Sequence, residues 1–282
     1  MTPARLFILT LVAMIAFAGN SLLCRLALKQ TGIDAASFTF VRIVSGAVAL
    51  WLILKFRKAK LGEAGNWPSA LALFIYAAAF SFAYVSLSAG TGALLLFAAV
   101  QATMILWGLL RGERLRPLQV AGLTMAVSGL VVLVFPGLSA PPIGGSILML
   151  AAGIAWGIYS LRGKTTGDPV AATAGNFLRA VPLAVILSVT LFPWARPDWN
   201  GFTYAVISGA IASGLGYVIW YSALPGLKAA SAATVQLSVP VLAAAGGILL
   251  LGEPLTLRFL GASIAVLGGI ALVVTFGKGS LR

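Results

Sequence analysis

Histidine is absent from the 282 residues, only six residues are acidic, and there is one cysteine. Acid–base and metal chemistry draw on side chains that titrate or coordinate near neutral pH, so these shortages argue against an enzyme or a metal protein. The lone Cys24 excludes an intrachain disulfide and leaves the redox compartment unread. Charge of either sign is scarce as well: 9% of residues are charged and 60% apolar, against the roughly 25% charged of a soluble domain. A soluble fold of this size could not cover itself with so little polar surface.

What the chain has instead is apolar sequence in long runs. A helix needs about 20 apolar residues to cross the hydrocarbon core at ~1.5 Å rise per residue. Ten runs meet that requirement: 6–28, 35–54, 67–87, 91–110, 118–135, 143–161, 170–192, 202–224, 229–251 and 259–276. Short breaker-rich turns such as 136–142 and 193–197 separate them. The expected class is an all-α polytopic membrane protein with no soluble domain left over.

The net charge of +13 would suggest a nucleic-acid partner in a soluble protein, but here the basic residues sit between the spans. With the N-terminus inside, thirteen of the 19 basic residues fall on the cytoplasmic face. Lys29, Arg196 and Arg258 fall on the other face, and Arg25, Arg42 and Arg179 lie within spans. This bias predicts that both termini are cytoplasmic and excludes nucleic acid. Arg5, the first run and Ala16-Phe17-Ala18 imitate a cleaved signal peptide. A similar stretch at Ala155-Trp156-Gly157, where no signal can stand, assigns the first run to a transmembrane helix.

The chain also repeats itself. Gly112-Glu113-Arg114-Leu115 returns as Gly252-Glu253-Pro254-Leu255, Phe40-Val41-Arg42 as Phe177-Leu178-Arg179, and the Ala16 stretch as the Ala155 stretch, at offsets of 137 to 140 residues. Gly122 and Gly129 after the first Gly-Glu turn match Gly261 and Gly268 after the second. A unit with an odd number of spans, repeated once, must lie in the membrane in opposite orientations, as in many secondary transporters. The expected halves are 1–140 and 141–282.

On the paired Gly-Glu turns, Arg42, Arg179 and Pro240, the chain resembles the EamA-type branch of the drug/metabolite transporter superfamily over nearly its whole length. Within it, the chain is most similar to the YddG-type exporters of aromatic and other apolar amino acids. The resemblance implies a ten-helix basket in which spans 1, 3, 4, 6, 8 and 9 surround a central cavity, in the bacterial inner membrane.

Polar residues at membrane depth are costly and so are functional candidates. Every acidic residue lies in a turn or at a helix end, which predicts facilitated transport without obligatory proton coupling unless Glu113 or Glu253 reaches inward; both otherwise brace their turns. Trp51, Trp67, Trp194 and Trp199 fit interfacial belts, and Trp107 lies close to the inner end. Trp156 and Trp220 remain inside and, with Tyr76, Phe80, Phe97, Tyr159 and Tyr217, offer aromatic faces for flat or apolar side chains, though membrane aromatics commonly only pack. The amides of Asn20, Gln101 and Gln236 should face inward, either to a substrate backbone or to another helix. Arg42 and Arg179 either anchor an anion or bond backbone carbonyls at the packing interface. Pro240 is expected to act as a hinge with Gln236 near it, while Gly246-Gly247 and Gly268-Gly269 read as packing positions. Gly157 and Gly163-Lys164-Thr165 imitate a phosphate-binding loop, but the spacing is one residue too long and no strand precedes it.

The sequence thus predicts a cofactor-free exporter of small amphipathic metabolites, chiefly aromatic and apolar amino acids, working as a monomer in contact with membrane lipid. Its rivals are an exchanger of anionic or phosphorylated metabolites using Arg42 and Arg179, and a non-transporting membrane scaffold. An intramembrane enzyme would need a nucleophile and base in reach of each other, and the sequence supplies no such pair.

Overall fold

The computed structural model describes residues 1–58, 64–112, 114–137, 139–163, 168–227 and 229–275. Lys60, Glu63, Glu113, Lys164, Thr165, Lys228, Lys278 and Arg282 lie outside them, so the full charge count, the first glutamate brace and the loop look-alike stay at the level of sequence.

All ten expected spans are helical: α1 Pro3–Gln30, α2 Ala35–Phe56, α3 Trp67–Tyr84, α4 Ala89–Leu110, α5 Pro117–Val134, α6 Ile143–Gly163, α7 Pro169–Thr190, α8 Trp199–Gly226, α9 Ser231–Leu251 and α10 Leu257–Thr275. Their starts are written in side-chain chemistry. Thr2, Asp34, Asn66, Ser88, Asp168 and Asp198 are N-caps whose side chains accept backbone N–H bonds from the first turn. Pro3, Pro68, Pro117 and Pro169 stand in first turns, where a missing N–H costs nothing. Helix α3 stops at Tyr84, short of the expected 87, because Arg25 of α1 takes the Tyr84 and Val85 carbonyls.

Helix pairing follows an exchange rule that carries each helix of the first half onto its counterpart five helices later. Three pairs map onto themselves: α2 with α7, α4 with α9, and α5 with α10. Three further pairings swap: α3 on α6 matches α8 on α1, α4 on α6 matches α9 on α1, and α2 on α8 matches α7 on α3. With five helices per half, counterparts run in opposite directions, which is an inverted repeat.

Glycines set the closest approaches. A Cβ on Gly122 would lie 2.6 Å from the Gly269 carbonyl oxygen, and one on Gly129 would lie 2.8 Å from the Ala265 Cβ, so α5 and α10 meet backbone to backbone. Gly261, which the repeat matches to Gly122, meets nothing within 4 Å. The packing glycine of α10 is therefore Gly269, because facing positions depend on helix rotation and not on alignment register.

Two helices are irregular. Helix α8 widens into a π-helix over Ile207–Leu215, where small residues (Ser208, Gly209, Ser213, Gly214) allow α2 to come close; a Cβ on Gly209 would lie 2.1 Å from the Arg42 carbonyl oxygen. Helix α9 breaks at Leu237, between the helical stretches Ala229–Gln236 and Ser238–Leu251. A proline ring collides with the carbonyl four residues earlier, and for Pro240 that carbonyl belongs to Gln236.

Five tryptophans (Trp51, Trp67, Trp107, Trp194, Trp199) are exposed towards helix ends, and Trp107 joins the belt group with Arg111 over its ring at 4.9 Å. Trp156 and Trp220 point inward, Trp156 half-buried and Trp220 buried.

Candidate functional site

Two connected layers occupy the middle of the bundle. The inner layer is aromatic. Trp156 of α6 lies 4.8 Å from Tyr76 of α3 and 5.0 Å from Tyr217 of α8, centroid to centroid, and stacks on Tyr159 at 5.4 Å. Phe80 extends the cluster from Tyr76 at 5.4 Å, and Phe17 of α1 joins Tyr217 to Trp220 at 5.9 and 6.0 Å. Phe177 of α7 closes on Tyr217 at 6.0 Å. Helices of both halves thus meet through rings at one level.

A polar seam runs beside the rings. Asn20 donates to the Tyr76 hydroxyl oxygen at 3.3 Å and accepts from Ser208 at 2.7 Å. Arg42, only 2% exposed, donates from Nη2 to the same Tyr76 oxygen at 3.0 Å and from Nε to Ser213 at 3.4 Å. Its guanidinium lies over the Phe80 and Tyr76 rings at 4.8 and 5.2 Å, as cation–π attraction favours. Nη1 is buried without a hydrogen-bond partner. Ser208 and Ser213 belong to the π-helical stretch, whose wider turns set the face they present.

Arg179, at the matching position of the repeat, does something else: Nη1 donates to the Ala64 and Gly175 carbonyl oxygens at 2.8 and 3.0 Å. Family resemblance makes both second-span arginines peripheral. The structure agrees for Arg179 in using it as a backbone brace, and differs for Arg42, whose side chain is long enough to cross from α2 into the aromatic centre.

The second layer lies towards the end that carries Lys29, expected to be the outer one. Arg25 Nε and Glu253 Oε1 form an ion pair at 3.0 Å, and Glu253 is only 7% exposed. Glu253 Oε2 accepts the backbone N–H of Ala89 at the start of α4, while Arg25 Nη1 bonds Tyr84 and Val85. Glu253 therefore reaches inward and braces at once, tying α1, α3 and α4 to the α9–α10 turn. Gly247 makes room for it, since a Cβ there would lie 2.5 Å from Oε2. Beyond the pair a cavity of about 230 Å³, lined also by Lys29, Ser86, Ser88, Thr91 and Thr256, opens at that end.

Of the residues singled out from sequence, Asn20, Tyr76, Phe80, Trp156, Tyr159, Tyr217 and Trp220 share the central cluster. Phe97 and Gln101 are buried on α4, and Gln101 Nε2 has no hydrogen-bond partner; among the described residues neither has a ring contact or hydrogen bond with the cluster. Gln236 stands at the break in α9 and Pro240 one turn beyond it. Sequence reasoning missed Phe177, the two serines of α8 and the Arg25–Glu253 pair. The signals available for that pair were the arginine at depth in α1 and the possible inward reach of Glu253, but the two partners lie 228 residues apart.

Comparison with known proteins places this arrangement. A protein of Pseudomonas aeruginosa described as uncharacterized is 58% identical over 97% of this chain and 96% of its own. A probable terminal-alkyne amino-acid exporter of Streptantibioticus cattleyicolor is 26% identical over 84% of this chain and 83% of its own. One crystal structure superposes with a TM-score of 0.67 over 98% of this chain and 99% of its own, at 18% identity, and so shares the fold. The EamA-like transporter family matches twice, at residues 5–135 and 143–275. The chain is thus a multi-pass integral membrane protein that belongs to the EamA-like transporter family.

Proposed function

We propose that this protein exports small amphipathic metabolites, chiefly aromatic and other apolar amino acids, from the cytoplasm across the bacterial inner membrane, as the YddG-type exporters do. The observation that carries the reading is the ring cluster of Tyr76, Trp156 and Tyr217, built from α3, α6 and α8 across both halves and flanked by the Asn20 and Tyr76 polar atoms. Flat apolar side chains gain burial and edge-to-face contact among such rings, while the polar seam serves an amino-acid backbone. The amino-acid exporter named among the relatives supports the same substrate class.

In this reading each half, 1–140 and 141–282, moves as a unit. Substrate enters from the cytoplasmic end, where both termini lie, by parting the rings, and leaves when the Arg25–Glu253 pair opens; the break in α9 before Pro240 supplies the hinge. The protein works as a monomer. Transport without obligatory proton coupling stays part of the reading, with Glu253, the one described acid that reaches inward, as the group whose release from Arg25 would couple it. An anion exchanger built on both arginines has less support, since Arg179 donates to backbone carbonyls.

Efflux of radiolabelled phenylalanine, tryptophan, threonine and a phosphorylated control from proteoliposomes, with and without a pH gradient, tests the proposal. Saturable amino-acid efflux indifferent to the gradient is the expected result. Movement of the anion alone, or movement only with a proton gradient, overturns it.

A further inference from the structure

We infer that Arg42 is the recognition point for a carboxylate, so that the substrates are those aromatic and apolar compounds that carry a free carboxylate. The inference rests on the export reading above and adds to it the group that the site selects.

The argument is a charge account. A guanidinium buried in a membrane bundle is held by an anion or by a full set of acceptors. Arg42 has neither: Nη2 and Nε meet neutral hydroxyl oxygens, and Nη1 meets nothing. The described acids are all engaged elsewhere. Asp34, Asp168 and Asp198 cap helices, and Glu253 is paired with Arg25. Among the described residues, then, Arg42 has no counter-ion of its own.

The neighbours of Arg42 present donors. The Tyr76 oxygen already accepts from both Asn20 and Arg42, and its O–H has the buried Tyr217 hydroxyl as a neighbour. Arg42 Nη1 is thus the free, charged donor of the site, held beside the Tyr76 hydroxyl by Nη2 and suited to a carboxylate oxygen. The guanidinium is fixed against the Phe80 and Tyr76 rings, and Tyr76 also touches Trp156. A carboxylate seated on Arg42 therefore places an attached aromatic or branched side chain against the ring cluster. A phosphate would fit the charge, but the packed rings favour a small planar anion joined to an apolar body.

The test compares analogues in proteoliposomes, corrected for leakage through protein-free vesicles. The wild-type protein is expected to move phenylalanine at least 10-fold faster than phenylalaninamide or phenethylamine, and 3-phenylpropionate is expected to compete with phenylalanine. Arg42→Gln is expected to erase that preference, and Arg42→Lys to restore part of it. Equal transport of phenylalanine and phenethylamine by the wild type overturns the carboxylate inference while leaving aromatic export intact. Export of none of the aromatic compounds overturns the export reading itself. Because the analogue series needs no variant, it can overturn the inference even if Arg42→Gln fails to fold; a folded Arg42→Gln or Arg42→Lys that keeps the full preference also overturns it.

Discussion

Helices α2 and α7 hold the same place in their halves and each carries an arginine at the matching position of the repeat, yet Arg42 crosses into the aromatic centre and Arg179 fastens backbone carbonyls. The other counterparts diverge in the same direction. Helix α3 is regular where α8 widens into a π-helix, and α4 is unbroken where α9 breaks at Leu237. Duplication supplied a symmetric frame, and the site lies where the two copies stopped being alike. The neighbours explain the contrast between the arginines. Arg42 faces small residues of the π-helical stretch that leave it a way in, whereas Gly175 and Ala64 bring carbonyls within reach of Arg179.

Substitution of the two arginines should break the comparison most sharply. Arg42→Gln is expected to lower phenylalanine efflux by about 100-fold, the scale of losing one charge-assisted contact in a buried site. Arg179→Gln is expected to leave the kinetics of the folded protein within about 2-fold and to lower its melting temperature through two lost backbone bonds. Efflux rates and thermal scans on the two purified variants separate these outcomes; similar kinetic losses in both would erase the distinction.

Next in size is Trp156→Ala. It removes the ring that joins Tyr76, Tyr159 and Tyr217, and should raise the half-saturating concentration for aromatic substrates by about 10-fold, or ~1.4 kcal/mol. Threonine, which gains little from ring contact, should be affected less, and the ratio between the two substrates is the quantity to measure.

The ion pair has an internal reporter. Cys24 is buried beside Arg25 on α1, so its modification from the Lys29 end reports opening there. Glu253→Gln should speed labelling by a membrane-impermeant maleimide several-fold, because Arg25 then lacks its charge partner. Unchanged labelling in a folded variant would remove the pair from the role of closing the Lys29 end. Pro240→Ala should act more mildly, restoring the hydrogen bond to Gln236 and slowing turnover about 2- to 5-fold with little change in half-saturation, as expected for a stiffened hinge.

The smallest effect concerns the caps. Burial pushes the Asp34 carboxyl up, but N–H bonds from Arg196, Ser37 and Ala36 outweigh it and hold the carboxyl below its usual value. A carboxyl so depressed lends stability that is complete above the ordinary carboxylate range and is lost as pH falls through its lowered value. Asp34→Asn, which can still cap, should therefore cost under about 1 kcal/mol at pH 7 and should flatten the fall in melting temperature at acid pH.

The ten helices and their repeat were legible because hydropathy and odd span number act on the chain one segment at a time. The break at Leu237 follows from Pro240 by the same local rule. Other features depend on how helices rotate about their axes, which apolar runs with little amphipathic contrast do not specify. That is why Gly269, and not the repeat-matched Gly261, faces Gly122, why Arg42 turned out central, and why Phe97 and Gln101 show no ring contact or hydrogen bond with the cluster among the described residues. The Arg25–Glu253 pair needed the closed fold, since only the packing of α1 against α9 brings its partners together.

The self-paired contacts have a further consequence. Where α5 lies on α10, α2 on α7 and α4 on α9, each half offers the other the counterpart of the helix it receives, the helix-level relation of an isologous dimer. The link around 136–142 thus joins two halves that already fit as a pair, and a gene split there should yield fragments that assemble in the bilayer when expressed together. Each fragment alone would display the glycine face of α5 or α10 to lipid, and like would then meet like.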